Sequence, residues 1–182
     1  MKTKLLLYSA LLLLTQCSKC KNDPTPADPA SQLPPATQTG AGTFGCLVNG
    51  QPWTPQGNDG TSNYSVSYDI TPAGGVLAIQ TYRIYGKAND EFQNIVLFAN
   101  QIAGAGSFSF RSPQRTRASV NDQKTNCYWS SRDSATTYRR GQMVITRLDR
   151  QAGIVSGTFA FTLYKPGCDT VRVTQGRFDK KL

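Results

Sequence analysis

The sequence predicts an all-β domain: an antiparallel meander of about nine strands, with a two-sheet sandwich favoured over a closed barrel. Three observations carry this. Apolar residues recur with period two over short runs, the spacing that turns one face of a strand toward a core. Asn-Gly, Asp-Gly, Gly-Gly and Pro-Gly pairs separate the runs, and such pairs turn a chain tightly. No stretch of the domain sustains helical spacing over about a dozen residues without a glycine or polar interruption.

Each element follows from its own pattern. Phe44, Cys46 and Val48 alternate with Gly45, Leu47 and Asn49, and Asn49-Gly50 is a hairpin signal ahead of Trp53. Tyr64, Val66, Tyr68 and Ile70 alternate with Ser65, Ser67 and Asp69. Val76 to Tyr85 and Phe92 to Ala99 are apolar on both faces, as central strands are. Ser107-Phe108-Ser109-Phe110 is a short alternating piece, and a strand is expected over Tyr138 to Arg147. Val155, Phe159, Phe161 and Leu163 alternate with Ser156, Thr158, Ala160 and Thr162, after which Lys165-Pro166-Gly167 turns the chain into Val171 to Phe178.

Ahead of the domain stands an address. Lys2 and Lys4 precede a ten-residue apolar run, Leu5 to Leu14, too short to span a bilayer and of signal-peptide proportions. Leu14-Thr15-Gln16-Cys17 follows directly and resembles the lipobox of bacterial lipoproteins, with Gln16 where a small residue is usual. The expectation is a leader over residues 1–16, lipid attachment at Cys17, and a proline-rich connector over 17–42. Pro24, Pro26, Pro29, Pro34 and Pro35 favour extended backbone there, and Leu33 is the only large aliphatic after the cysteines. The single β-domain then occupies 43–182. Gly40-Ala41-Gly42-Thr43-Phe44-Gly45 spells the dinucleotide-binding glycine pattern, but that motif needs a strand before it and a helix after it, and neither is expected.

Phe44-Gly45-Cys46-Leu47-Val48-Asn49-Gly50-Gln51-Pro52-Trp53 opens the domain, Gly141 to Asp149 and Gly153 to Phe161 follow late, and Val173-Thr174-Gln175-Gly176-Arg177-Phe178-Asp179 closes it. Together these segments resemble an uncharacterised family of small Bacteroidetes lipoproteins with a domain of unknown function. The resemblance implies an all-β envelope lipoprotein; with the leader and Cys17, the expected place is the outer membrane, lipid-anchored and facing periplasm or cell surface. The resemblance implies no catalytic residue.

Composition narrows the chemistry. The 182 residues include no histidine, which removes the Ser-His-Asp triad, the Cys-His pair and histidine-ligated metals. Glu91 is the only glutamate, so paired-carboxylate chemistry must rest mainly on aspartates. Asn58-Asp59-Gly60 offers one carboxylate, too little charge for a tight calcium loop, and reads first as a turn. Ser156, between Gly153 and Gly157, has no base to activate it. No metal and no cofactor is expected.

With Cys17 and Cys20 outside the domain, Cys46, Cys127 and Cys168 allow three single pairings. Strand order favours Cys127–Cys168, because both approach one end of the sheet if two hairpins follow the strand of Tyr138. Cys46 shares the inward alternate with Phe44 and Val48, where a lone cysteine behaves as a small hydrophobe.

The net charge of +9 is uneven. The connector's Lys19 and Lys21 are matched by Asp23 and Asp28, so the excess falls on the domain. Arg111, Arg115, Arg117, Lys124, Arg132, Arg139 and Arg140 face only Asp122 and Asp133 within their stretch, with Tyr128, Trp129 and Tyr138 among them. Arginine's planar fork grips phosphate or carboxylate at two points. Arg115, Arg117, Arg139 and Arg140 are therefore the candidate anion-binding residues, for acidic glycan, lipopolysaccharide phosphate or lipid headgroups. Nucleic acid suits the charge but not the address. The expectation is a lipid-anchored, non-enzymatic binding module. The alternatives are a glycan-active hydrolase or lyase working through Asp, Tyr and Arg, and a passive subunit of a surface complex.

Overall fold

The computed structural model describes residues 28–71, 74–86 and 91–182; Cys17, Cys20 and the leader lie outside the described residues. Eleven strands are present among these: β1 (Thr43–Val48), β2 (Gln51–Trp53), β3 (Tyr64–Thr71), β4 (Gly74–Tyr85), β5 (Glu91–Ile102), β6 (Gly106–Ser109), β7 (Thr116–Asp122), β8 (Cys127–Ser130), β9 (Tyr138–Asp149), β10 (Ile154–Lys165) and β11 (Asp169–Lys181). They form a six-stranded sheet in the order β2-β1-β11-β10-β9-β6 and a five-stranded sheet in the order β3-β4-β5-β7-β8. The two sheets stack as an open sandwich and do not close into a barrel.

The strand count exceeds the expected nine, and β7 is the clearest reason. Its inward residues are Thr116, Ala118 and Val120, too weakly apolar to announce a strand. Thr116 tolerates burial because its hydroxyl donates to the carbonyls of Ser109 and Ser112. Meander order holds through β3-β4-β5 and through β9-β10-β11. It breaks where β6 leaves the second sheet to pair with β9, and where β1 inserts beside β11 at the far end of the sequence.

The core lies between the sheets. Leu77, Ile79, Ile95 and Leu97 face Phe159, Phe161, Leu163 and Val173. Phe44 is the hub of an aromatic group, 5.2 Å from the Phe159 ring and 5.9 Å from that of Trp53. Each such side chain contributes about 1.5–3 kcal/mol by leaving water. Gly141 marks a place where no side chain fits: its φ is +129°, and a Cβ there would meet the Ala160 carbonyl at 2.2 Å.

Residues 28–42 depart from the extended connector expected of them. A short 3-10 helix, Pro29–Gln32, is capped by the Asp28 carboxylate. Leu33 is buried, and Pro34 packs on Gly45 of β1. The chain is then strapped to the first sheet by hydrogen bonds from Arg177 to the Pro34 carbonyl and from Arg147 to that of Gln38. Composition suggested a solvated tether, but proline-rich backbone needs only a few well-placed donors and one apolar anchor to lie down on a sheet.

Candidate functional site

The arginine-rich stretch folds into β7, β8, the start of β9 and the loops between them. Phe98 points outward from β5, directly opposite Arg117 on β7. Two guanidinium groups cover its ring: Arg117 at 5.8 Å and Arg132 at 5.9 Å from the centroid. Arg132 is oriented by its Nε, which donates to the Pro113 carbonyl at 2.7 Å, and by its backbone N–H to the Ser130 hydroxyl. The loop before β7 is tied to β5: Asn100 donates its backbone N–H to the Arg115 carbonyl and its side-chain amide to that of Gln114. This brings the exposed Arg115 to the same corner.

None of the ion pairs among the described residues, Lys124–Glu91, Arg147–Asp149 and Lys165–Asp133, involves Arg115, Arg117 or Arg132. Arg117 Nε and Asn100 Oδ1 are buried there without a hydrogen-bond partner. Like charges gathered on one ring, with one unmet donor on Arg117 and no carboxylate partner among the described residues, make a corner with standing demand for an anion.

The four predicted arginines do not converge on one face. Arg115 and Arg117 belong to the Phe98 corner. Arg139 Nη2 donates instead to the carbonyls of Asp133 and Thr136, capping the β8–β9 loop. Arg140 shares the outward alternate of β9 with Gln142, on the opposite side of the sandwich. Sequence reasoning passed over Phe98 and did not single out Arg132. The signal was present: a central strand apolar on both faces still has an outer face, and in β5 it carries Phe92, Val96 and Phe98. Of the neighbouring aromatics, Tyr128 and Tyr138 are exposed, whereas Trp129 is buried and donates its indole N–H to the Asp169 carbonyl. Arg83, outside the stretch, is occupied. Its Nε donates to the Gln93 side chain at 2.8 Å, which also accepts from the Trp53 indole.

The aspartates are dispersed. Asp59 accepts from the hydroxyl and N–H of Thr61 and from the Tyr82 hydroxyl, which holds its carboxyl below the usual range. Asn58 accepts from the Gly60 N–H, so this segment is a turn. Asp133 and Asp149 likewise accept backbone N–H groups in turns.

Asp179 is the exception and the best-built polar group in the molecule. It is 1% exposed. Oδ1 accepts from the Ser156 hydroxyl and the Gly40 N–H, and Oδ2 from the Thr37 hydroxyl and the N–H groups of Thr39 and Ala41. Burial pushes its carboxyl up, but the donors of Ser156, Thr37, Ala41 and Gly40 outweigh that and hold it well below the usual carboxylate range. The Gly40-Ala41-Gly42 loop thus cradles a carboxylate of its own chain, Gly40 and Gly42 taking φ of +78° and +74°. Ser156 is consumed as a donor.

Cys127 and Cys168 form a disulfide, Cα–Cα 5.5 Å, tying β8 to the β10–β11 turn, the pairing that strand order favoured. Cys46 is free and buried, and burial pushes its thiol up.

Fold and side chains together define an open two-sheet antiparallel sandwich, strapped at its N-terminal side and cationic at one corner. Residues 61–180 match the family described as Domain of unknown function (DUF6252), and the chain belongs to that family. The match covers β3 through most of β11; β1, β2 and the strap precede it, although β1 is hydrogen-bonded between β2 and β11. No curated protein and no solved structure matches the chain.

Proposed function

We propose that this protein is a lipid-anchored cell-envelope module of a Bacteroidetes-type lipoprotein, attached through Cys17 in the outer membrane, that binds an anionic envelope component without turning it over. The observation that carries the binding reading is the pair of guanidinium groups on Phe98 with no carboxylate partner among the described residues. The ligand chemistry is phosphate or carboxylate, which Arg117 and Arg132 suit with their forked donors. The leader and lipobox resemblance support the address. Binding is favoured over glycan hydrolysis or lysis because the aspartates are spread among turns, and Asp179 is enclosed by donors that keep it charged. General acid or base work needs a carboxyl that exchanges a proton near working pH.

The test is retention of the purified protein on immobilised anionic and neutral glycans and vesicles across a salt series. Retention on anionic matrices that weakens with salt, and falls about tenfold or more in an Arg117→Ser/Arg132→Ser variant, supports the reading. Equal retention on neutral matrices, or no loss in the variant, overturns it. Mass spectrometry of the membrane-derived protein tests the anchor: an acylated N-terminal Cys17 is expected, and an unmodified one refutes that part.

A further inference from the structure

We infer that the occupant of this face is an acidic oligosaccharide lying along the outer row of β5, its anionic group at Arg117 and Arg132 and its neutral rings running toward Phe92. The inference rests on the anion-site reading above and adds the rest of the ligand to it. Outward residues of β5 succeed one another as Phe92, Asn94, Val96, Phe98 and Asn100, a row spanning about 27 Å at strand rise. Phe92 stacks on Tyr82, with centroids 5.7 Å apart and planes 23° from parallel. Tyr82 is itself locked from behind, since its hydroxyl is bonded to Asp59 and to the Thr61 carbonyl. The phenyl group of Phe92 is therefore a braced, half-exposed platform.

Beside it lies a groove of about 380 Å³ lined by Ser65, Gln80, Phe92, Asn94 and Val96. Cross-strand pairing sets Gln80 opposite Val96 on one side and Asn121 opposite Asn94 on the other. The side-chain amides of Gln80, Asn94 and Asn121 make no hydrogen bond to any described residue. Free planar amides beside an aromatic platform suit a ligand with an apolar ring face and a rim of hydroxyls, which is the chemistry of a sugar.

Charge completes the match. The row from Phe92 to Val96 carries no charged side chain, while the Phe98 end has Arg117, Arg132 and the nearby Arg115. A ligand complementary to both parts is neutral along most of its length and anionic at one end or at intervals. A nucleic acid places a charge on every unit and would leave most of this row unmatched. A bilayer surface would call for protruding apolar side chains, not a recessed groove lined by amides.

The experiment is calorimetric titration of the full chain with a galactan oligomer carrying a single terminal galacturonate, with the galacturonate monomer and with a neutral galactan of similar length. The oligomer is expected to bind at least about tenfold tighter than the monomer, and the galactan weakly. Phe92→Ala should remove about that factor for the oligomer and leave the monomer unchanged. Gln80→Ala/Asn94→Ala, confined to outward side chains, should act in the same direction. Arg117→Ser/Arg132→Ser should abolish both acidic ligands. Equal binding of monomer and oligomer, or no effect of the Phe92 and amide variants, overturns the groove proposal and leaves the anion site standing. Failure of the oligomer to bind while anionic vesicles are retained overturns it in favour of a lipid ligand.

Discussion

Ser156 Oγ lies 2.6 Å from Asp179 Oδ1, across a directly registered pair of β10 and β11. That short bond is one of five strong ones converging on a single buried carboxylate, and the other four come from residues 37–41. Replacing Asp179 by Asn turns one acceptor into a donor facing two or three other donors. The expected result is a loss of about 2–4 kcal/mol of unfolding free energy in denaturant titration. Limited proteolysis within residues 28–42 should accelerate in the same variant.

The same carboxylate gives a pH dependence of known sign. Asp179 is held below its unfolded value, near 3.9, so its contribution is fully present above about pH 4 and is lost as pH falls toward the folded value. Asp59, Asp133, Asp149 and Glu91 shift in the same direction, but they do so equally in wild type and variant. The stability difference between wild type and Asp179→Asn should therefore be constant from pH 5 to 7 and shrink below about pH 4. A difference that grows on acidification would contradict the assignment.

The disulfide closes a sequence separation of 41 residues. Cys127→Ser/Cys168→Ser should lower stability by about 2–4 kcal/mol. Peptide mapping without reduction should join the peptides of Cys127 and Cys168. Cys46 should resist alkylation in the native protein and react on unfolding, because its thiol is buried and burial keeps it protonated.

Gly141 has both a backbone and a packing reason to be glycine, the carbonyl of Ala160 lying where a methyl would go. Gly141→Ala should cost more than about 2 kcal/mol, read as a lowered denaturation midpoint at unchanged m-value.

Arg139 separates the sequence expectation from the folded site. Its guanidinium is bonded to the carbonyls of Asp133 and Thr136, so Arg139→Ser should reduce thermal stability. Retention on anionic glycan should change less than about twofold, while Arg117→Ser reduces it severalfold.

What could be read from residues alone follows the physics of each signal. Strands with strict alternation, such as Tyr64 to Ile70, announce themselves, because one face must be apolar to be buried. β7 does not, because Thr116 and Ser119 are buried through hydrogen bonds and small size, which period-two hydrophobicity does not register. Cys127–Cys168 was legible from strand order. The arginine corner was legible as charge but not as geometry: Arg139 and Arg140 adjoin in sequence, and adjacent strand residues point to opposite faces. Asp179 was invisible because four of its five donors, on residues 37–41, lie some 140 positions away in the chain, a distance no local pattern encodes.

The strap has a mechanical corollary. A pull on the N-terminal side of the domain arrives first at buried Leu33 and the Arg177-bonded Pro34, and then at residues 37–41, where donors on both oxygens of Asp179 share the load side by side, before any strand is asked to peel. A body tugged from that side would hold until those bonds yield together, before the two sheets come apart.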